Sequence, residues 1–411
     1  MKITVIGGGP GGLYFSILTK KAMPHCQIDI YERNKPDDSF GFGVVFSDET
    51  LGEFLKRDMQ SYELIRSKFA YWDDIIVARD GESVNIAGNG FCGCSRKTLL
   101  QLLQQRCIEE GVNLHFEQNV DDLSQFADSD IILASDGIAS VIRTQYQKEF
   151  GTKIELKKNR FVWLGSTKPL DAFTYFFRST PYGTIVAHSY QYEEGMSTWI
   201  FECSDETWQK HGFEVTNEED TMIKIAEIFK EELDGHPLIS NKSHWRQFPH
   251  VTNEKWYHNN IVLLGDAAHA IVPFYGQGMN CGFEDCTVFN EMYDESKGDW
   301  SGLLGRFSDQ RVPDANAILD LALDNYVEMR DKTADPEFLL QKKIEGKFSR
   351  LHPDKWTPLY SQVTFSNTRY SDAVRNGKKQ DALMQEILKI ENIHERWDEP
   401  FVMEKMLELI S

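Results

Sequence analysis

The chain begins with a short apolar run that stops at a cluster of glycines. Residues 3–6 favour a strand, Gly7-Gly8-Gly9-Pro10-Gly11-Gly12 follow at once, and residues 13–21 are compatible with a helix. A second strand-like run over residues 27–32 ends at Glu32. This order predicts a βαβ unit, which requires a parallel sheet at the start of the fold.

The glycine cluster follows the pattern GxGxxG between a strand and a helix. Without side chains there, a pyrophosphate can approach the N–H groups at the helix N-terminus. Glu32 lies twenty residues after Gly12, at the end of the second strand, where its carboxylate can accept hydrogen bonds from both ribose hydroxyls. The pattern predicts a dinucleotide, NAD or FAD, bound by Gly7, Gly9, Gly11, Gly12, Glu32 and Arg33.

A second glycine-rich stretch, residues 261–286, favours FAD over NAD. An apolar run ends at Gly265-Asp266, and Gly276-Gln277-Gly278-Met279-Asn280 then leads into a helix. A flavin dinucleotide carries a ribityl chain, whose hydroxyls need an acceptor such as Asp266 on a distant strand. The helix N-terminus formed by Gly278, Met279 and Asn280 is expected to face the pyrimidine edge of the flavin, where it favours the anionic reduced form.

Length, charge and cysteine spacing limit the class of protein. A chain of 411 residues predicts two domains, or one domain with a large insertion. The formal net charge is −20 and Lys and Arg form no long block, which argues against nucleic acid as a partner. Neither Cys92 with Cys94 nor Cys281 with Cys286 has CxxC spacing, so we expect reduced, buried thiols and no metal. No apolar run reaches bilayer length, and we expect a cytoplasmic protein without membrane contact.

Hydrophobic patterning divides the chain into four segments. Aromatic and β-branched residues between turn signals predict an antiparallel sheet, and the last segment favours helices broken at Pro313, Pro336 and Pro353. An amphipathic pattern over residues 381–390 leaves monomer and homodimer both open. The predicted class is α/β: a Rossmann-like (GR2-type) FAD-binding domain in two parts, 1–150 and 256–300, an inserted β-sheet substrate domain, 151–255, and a C-terminal helical region, 301–411.

Four ordered motifs together resemble the single-component (class A) FAD-dependent aromatic hydroxylases. They are the glycine cluster with Glu32, Arg96 in Ser95-Arg96-Lys97, Ser135-Asp136-Gly137, and Gly265-Asp266 with Pro273 downstream. The resemblance implies that Arg96 contacts FAD, that Asp136 contacts FAD and the nicotinamide donor, and that Asp266 binds the ribityl chain. It also implies O₂, a small aromatic substrate, and NADPH or NADH as reductant. Because only one GxGxxG is present, we expect that donor to bind transiently.

Different segments resemble different members of that family. Tyr370 matches a substrate-contacting tyrosine of kynurenine 3-monooxygenase, and we take Pro273 and Tyr370 as candidate catalytic residues. The positions that hold the kynurenine carboxylate fall near Ala70 and on Val84. Residues 41–48, 90–93 and 159–163 are similar to the salicylyl-CoA and anthraniloyl-CoA hydroxylases and the violacein-pathway hydroxylase, whereas residues 267–286, 311–314, 325–330 and 358–370 are similar to kynurenine 3-monooxygenase.

The resemblance also implies a reaction. In that family a C4a-hydroperoxyflavin transfers OH to an electron-rich ring, and water must be kept away from it. The favoured substrate is kynurenine or another tryptophan-derived arylamine, and salicylyl-CoA or anthraniloyl-CoA is the alternative. A non-catalytic nucleotide-binding redox sensor is the alternative of another class. Arg178 and His188 are candidate anion-binding residues, and the candidates for a dry surface are Phe173, Tyr175, Phe177, Trp199 and Phe201.

Overall fold

The computed structural model describes residues 1–272, 276–297, 299–300, 302–327 and 336–410. These residues form two compact units. The first consists of Met1–Ala270 and Gly278–Asp309, and the second of Ile271–Gln277 and Gln310–Ser411. The four segment boundaries drawn from the sequence stay predictions.

A six-stranded sheet in the first unit contains the predicted βαβ start. Its inner strands are largely buried, and all its strands are parallel apart from one antiparallel edge strand. Val5 pairs with Ile30 on one side and Leu133 on the other. The predicted α/β fold is confirmed. The spatial order is β14 (Tyr257–His258), β15 (Ile261–Leu263), β7 (Ile131–Ala134), β1 (Lys2–Ile6), β2 (Gln27–Tyr31) and β6 (Asn113–His115).

The second sheet of this unit has nine strands and is antiparallel except where β4 pairs with β9. Three strands come from residues 43–95, where the sequence analysis predicted none; the third of them contains glycines at 88, 90 and 93, which are typical of turns. The order is β12 (Leu238–Ile239), β8 (Lys153–Ser166), β11 (Met196–Cys203), β10 (Gly183–Glu193), β9 (Phe173–Thr180), β4 (Ala70–Arg79), β5 (Glu82–Ser95) and β3 (Gly43–Ser47), and β13 (Arg246–Thr252) pairs with β8.

One face of the nine-stranded sheet is an apolar core. Trp199 and Phe201 are fully buried there against Ile225 and Phe229, and Phe176 stacks on Trp199. These two aromatic residues are therefore not part of a dry substrate surface. The helices of this unit are α1 (Pro10–Ala22), α2 (Asp48–Arg57), α3 (Met59–Arg66), α4 (Arg96–Glu109), α5 (Val141–Gln145), α6 (Gln147–Phe150), α7 (Asp205–Lys210), α8 (Glu218–Ile228), α9 (Lys230–Leu233) and α10 (Gly278–Glu295).

The second unit is helical, as predicted, around a core that includes Phe348, Trp356 and Met384. Pro313 lies inside a helix rather than ending it, because packing of the flanking apolar residues outweighs one lost backbone hydrogen bond. Pro336 does begin a helix. The helices are α11 (Leu303–Val327), which starts before the unit boundary, α12 (Pro336–Leu351), α13 (Leu359–Thr364), α14 (Tyr370–Leu388), α15 (Ile393–Arg396) and α16 (Pro400–Ile410).

Two further features of the structure are the apolarity of its helices and the state of its cysteines. Among the described residues, no helix combines the length and apolarity needed to cross a bilayer. All seven cysteines are described; they are buried and form no disulfide. Burial raises the pKa of Cys92, Cys94, Cys107 and Cys203 above that of an ordinary thiol.

Candidate functional site

Three of the four sequence motifs meet at one edge of the six-stranded sheet, where they place Gly7, Glu32, Asp136 and Asp266. Gly7 follows β1, Glu32 follows β2, Asp136 follows β7 and Asp266 follows β15. These four strands are neighbours and run parallel, so their carboxyl ends share one edge. Strands β2 and β15 are three spacings apart, which is about 14 Å. The edge therefore suits an elongated ligand whose two ends meet Glu32 and Asp266.

The glycines of the first turn serve two different purposes. A Cβ on Gly7, where φ is 106°, would lie 2.3 Å from the Ser135 carbonyl oxygen, and a Cβ on Gly12 would lie 2.4 Å from the Gly7 oxygen. These two glycines let β1, α1 and the segment after β7 pack closely. By contrast, no described atom lies within 4 Å of a Cβ built on Gly9. The space beside the N-terminus of α1 fits a pyrophosphate.

Glu32 is held beside this turn by hydrogen bonds. Its Oε2 accepts from the Gly8 N–H at 2.8 Å, and its Oε1 accepts from the Asn34 N–H at 2.8 Å and from the Asn34 Nδ2 at 2.6 Å. A carboxylate has about four lone-pair positions, so one stays available for a ribose hydroxyl. Sequence reasoning missed Asn34, while Arg33 is exposed next to it.

Asp136 presents a buried oxygen that suits a ligand. Its Oδ2 accepts from Val141 N–H at 2.8 Å and Ile142 N–H at 3.3 Å, which caps α5. Its Oδ1 is buried and has no hydrogen-bond partner among the described residues. Buried oxygens of this kind are costly unless a ligand or water pairs with them. This unpaired oxygen atom is therefore suited to accept a hydrogen bond from the cofactor or from the nicotinamide dinucleotide that reduces it.

Arg143 connects the Asp136 motif to the turn that carries Asp266. Its Nη1 donates to the Ala267 carbonyl at 2.9 Å and the Asp266 carbonyl at 3.4 Å. Burial lowers the pKa of the Arg143 guanidinium, and Asp136 and Asp266 partly oppose that effect. The Asp266 side chain itself is exposed. It is therefore accessible to sugar hydroxyls.

The helix α10 begins at Gly278, in the same unit as Asp266. Met279 is half-buried, whereas Asn280 is buried and its Nδ2 lies 3.5 Å from the Val45 carbonyl oxygen. The N-terminal turn is thus anchored next to β3. Contact between this turn and the pyrimidine edge of a flavin stays a prediction.

Arg96 is the first residue of α4 and lies at a loop, residues 39–43, whose last residue is also the first of β3. The Arg96 N–H donates to the Phe42 carbonyl at 2.9 Å and Nη1 to the Phe40 carbonyl at 3.4 Å. At the other end of the loop, the Tyr190 hydroxyl donates to the Gly43 carbonyl at 2.9 Å. The loop therefore links Arg96 to the sheet face that carries Tyr190.

That sheet face, opposite the apolar core, is covered by aromatic rings. Phe173 stacks on Tyr190 with ring centroids 5.4 Å apart, and its centroid is 5.0 Å from that of Tyr175. We call this surface the aromatic face; its members are Trp72, Phe91, Phe173, Tyr175 and Tyr190.

Both basic residues considered as candidate anion holders lie next to acidic side chains. Arg178 forms ion pairs at 2.7 Å with both Glu231 and Glu232. His188 lies next to the Glu202 carboxylate, with 3.5 Å between Nε2 and Oε2, and burial lowers its pKa to about 4. A neutral imidazole beside an acid does not attract an anion. Both side chains thus have partners within the protein, and such tertiary partners cannot be read from the strand sequence.

Of the two candidate catalytic residues, the structure describes one. Tyr370 is buried at the start of α14 in the second unit. Pro273 lies outside the described residues. Their roles stay predictions.

Burial of His188 is expected to make the protein less stable in acid. The unfolded imidazole takes up a proton below its usual pKa of about 6.5, whereas folded His188 stays neutral down to about 4. The unfolded state thus binds more protons in this window, and the unfolding free energy decreases as the pH falls, by up to about 3 kcal/mol. Urea unfolding across this range should show a smaller pH dependence for His188→Gln. The exposed control His25→Gln should keep the wild-type dependence, and equal slopes for all three proteins would contradict the assignment.

Comparison with known proteins agrees with this geometry. A family model described as "FAD binding domain" matches residues 86–322. The chain is 35% identical over 330 residues to a salicyloyl-CoA 5-hydroxylase of a Streptomyces species, an alignment that covers 78% of this chain and 64% of that protein. It is 53% identical over 155 residues to the kynurenine 3-monooxygenase of Flavobacterium johnsoniae, covering 38% of this chain and 35% of that protein.

A solved structure of the tetrameric form of 2-methyl-3-hydroxypyridine-5-carboxylic acid oxygenase shares the fold. The TM-score is 0.67 at 15% identity, over 82% of this chain and 94% of that chain. The family model covers more than half of the residues, and the motif positions, the glycine cradle and the orphaned Asp136 oxygen all fit the same cofactor. The chain therefore belongs to the FAD-binding domain family shared with flavin-dependent aromatic hydroxylases, and its cofactor is FAD.

Proposed function

We propose that this protein is a FAD-dependent, NAD(P)H-consuming monooxygenase that hydroxylates an electron-rich aromatic ring. The observation that carries the proposal is the loop 39–43, which is bonded both to Arg96 and to Tyr190 of the aromatic face. A cofactor-binding edge and an apolar surface suited to a ring thus belong to one unit. The names of both relatives describe insertion of oxygen into an aromatic substrate.

Each group of residues has a separate task in this proposal. When bound, FAD supplies the redox chemistry by which one oxygen atom of O₂ reaches the ring. The N-terminus of α1 beside Gly9 holds the pyrophosphate, Glu32 the ribose and Asp266 the ribityl chain. The aromatic face keeps water out of the reaction site, which prevents loss of reducing equivalents as hydrogen peroxide.

The substrate proposed here is a benzoyl ring with an amino or hydroxyl group ortho to the carbonyl. Kynurenine and a salicyloyl thioester share this unit, and either substituent donates electrons to the ring. Kynurenine or another tryptophan-derived arylamine is our first candidate, supported by 53% identity over 155 residues.

An aryl-CoA thioester is the second candidate and has its own support. The alignment with the salicyloyl-CoA hydroxylase covers 78% of this chain. Ala70 and Val84 offer no cation for an amino-acid carboxylate, and Arg178 is already paired with two glutamates. A thioester has no carboxylate at that position, so it needs no such cation.

A panel of ligands tests both the reaction and the substrate class. NADPH and NADH consumption and product mass would be measured with kynurenine, tryptophan, anthranilate, salicylate, anthraniloyl-CoA and salicyloyl-CoA. We expect at least one ortho-substituted benzoyl compound to stimulate donor oxidation about tenfold or more and to gain one oxygen atom. Stimulation only by the thioesters would reverse the order of the two candidates. If NADPH or NADH bound but was not oxidised with any of these compounds, the enzyme proposal would be refuted in favour of a redox sensor.

A further inference from the structure

A polar cluster lies buried between the Asp266 turn and helix α10. His269 is 1% exposed, and Asp285 and Cys281 are fully buried. Enclosing ionisable groups in this way costs free energy unless they are paired with good geometry. The cluster is outside the set of residues assigned to the cofactor by sequence, so it calls for a separate explanation.

The contacts of the cluster join two chain segments. The His269 Nε2 lies 2.7 Å from the Asp285 Oδ2, which also accepts from the Gly265 N–H at 3.2 Å. The Cys281 Sγ lies 3.9 Å from the same Nε2. On its other side the imidazole stacks on the buried Trp256, with centroids 5.1 Å apart. Asp285 of α10 thus binds both ends of the turn formed by residues 265–269.

The charges favour an ion pair over a neutral hydrogen bond. Burial alone would lower the pKa of His269, but the adjacent Cys281 and Asp285 outweigh burial and raise it well above its usual value. This direction favours the protonated ring, whose Nε2–H donates to the Asp285 carboxylate at 2.7 Å. Charge-assisted hydrogen bonds of this type are the stronger ones in proteins.

The position of the pair gives it a function. Asp266 lies three residues before His269, and the turn at Gly278 lies two helical turns before Asp285. We assigned Asp266 to the ribityl chain of FAD and the turn at Gly278 to the flavin ring. We propose that His269 and Asp285 are positioning residues, whose ion pair sets the separation of these two flavin contacts and thereby the affinity for FAD. The inference rests on that assignment of the flavin contacts and not on any particular aromatic substrate.

The test uses holoenzyme variants that keep the shape of the side chains. Asp285→Asn removes the negative charge, and His269→Gln keeps an N–H donor without a positive charge. Asp58→Asn is the matched control, because Asp58 is equally buried in the same unit and pairs with Lys21 at 2.7 Å and Arg106 at 3.2 Å, none of which is assigned to FAD. Flavin fluorescence reports release of FAD, and circular dichroism reports unfolding of the same sample during heating.

We expect Asp285→Asn and His269→Gln to raise the dissociation constant of FAD about 10- to 100-fold. Flavin should leave these variants well below the unfolding temperature. In Asp58→Asn, release and unfolding should shift downward together, because only stability is lost. An Asp285→Asn variant that behaves like Asp58→Asn would show a merely structural role and overturn the proposal.

Two further readouts keep the result unambiguous. Nitrogen-15 NMR of the histidines should show His269 as an imidazolium in the wild type and as neutral in Asp285→Asn. Metal analysis should find no stoichiometric zinc, although His269, Cys281 and Asp285 could in geometry hold an ion; a stoichiometric metal that is lost in Asp285→Asn would replace our interpretation. None of these measurements requires an aromatic substrate, so failure of the monooxygenase proposal leaves them intact.

Discussion

Replacing Gly9 by valine is expected to abolish FAD binding while leaving the polypeptide folded. The backbone at Gly9 has φ of −74° and ψ of 175°, which any residue can adopt, and no described atom lies within 4 Å of the added Cβ. The new side chain would instead occupy the space where the pyrophosphate approaches α1. We expect the dissociation constant for FAD to rise about 100-fold or more, which corresponds to about 2.7 kcal/mol. Flavin content after purification and titration with FAD measure this change.

The matched comparison for this variant is Gly12→Ala. Its Cβ would lie 2.4 Å from the Gly7 oxygen and 2.5 Å from the Ser135 hydroxyl, so protein atoms must move. We therefore expect Gly12→Ala to lower the unfolding temperature even without FAD, whereas Gly9→Val unfolds like FAD-free wild type. A Gly9→Val protein that retained bound flavin would show that the pyrophosphate lies elsewhere.

The second large effect is expected at Asp266. Its exposed carboxylate is assigned to hydroxyls of the ribityl chain, and a hydrogen bond to a charged group contributes about 1.5–3 kcal/mol. Asp266→Ala should therefore weaken FAD binding about 10- to 100-fold, as measured by fluorescence titration, with little change in unfolding temperature. Asp266→Asn, which keeps one acceptor oxygen, should give an intermediate value. Unchanged affinity in both variants would remove Asp266 from the site.

Local patterns predicted well the edge of the six-stranded sheet that carries Gly7, Glu32, Asp136 and Asp266, which we call the cofactor edge. A glycine cluster between a strand and a helix has few structural solutions, and parallel strands bring their carboxyl ends to one edge. Glu32 could therefore be placed from its spacing, and Asp266 from its position after an apolar run and from the family resemblance. The two roles of the glycines were not visible in the sequence. Gly7 avoids the backbone of Ser135, and Gly12 avoids the Gly7 carbonyl and the Ser135 side chain; only coordinates distinguish these two glycines from Gly9.

Features that depend on tertiary partners were predicted less well. Alternation along β11 places Trp199 and Phe201 on one face, but whether that face is core or substrate surface depends on the packing of α8. Of the three strands within residues 43–95, β5 carries glycines at 88, 90 and 93, which are typical of turns. Likewise, the His269–Asp285 pair is marked in the sequence only by polar residues within apolar surroundings, a weak signal for an ion pair.

The cofactor edge is assembled from segments near residues 7, 32, 136 and 266, with the nine-stranded sheet formed in between. Bringing such distant chain segments together costs conformational entropy, and this cost slows folding. The last strand of this edge, β15, pairs with β7, which lies more than 120 residues earlier in the chain. A molecule that binds only the assembled edge pulls this equilibrium towards the native state, by about 2.7 kcal/mol at a hundredfold excess over its dissociation constant. The yield of folded protein in a producing cell should therefore increase with riboflavin supply.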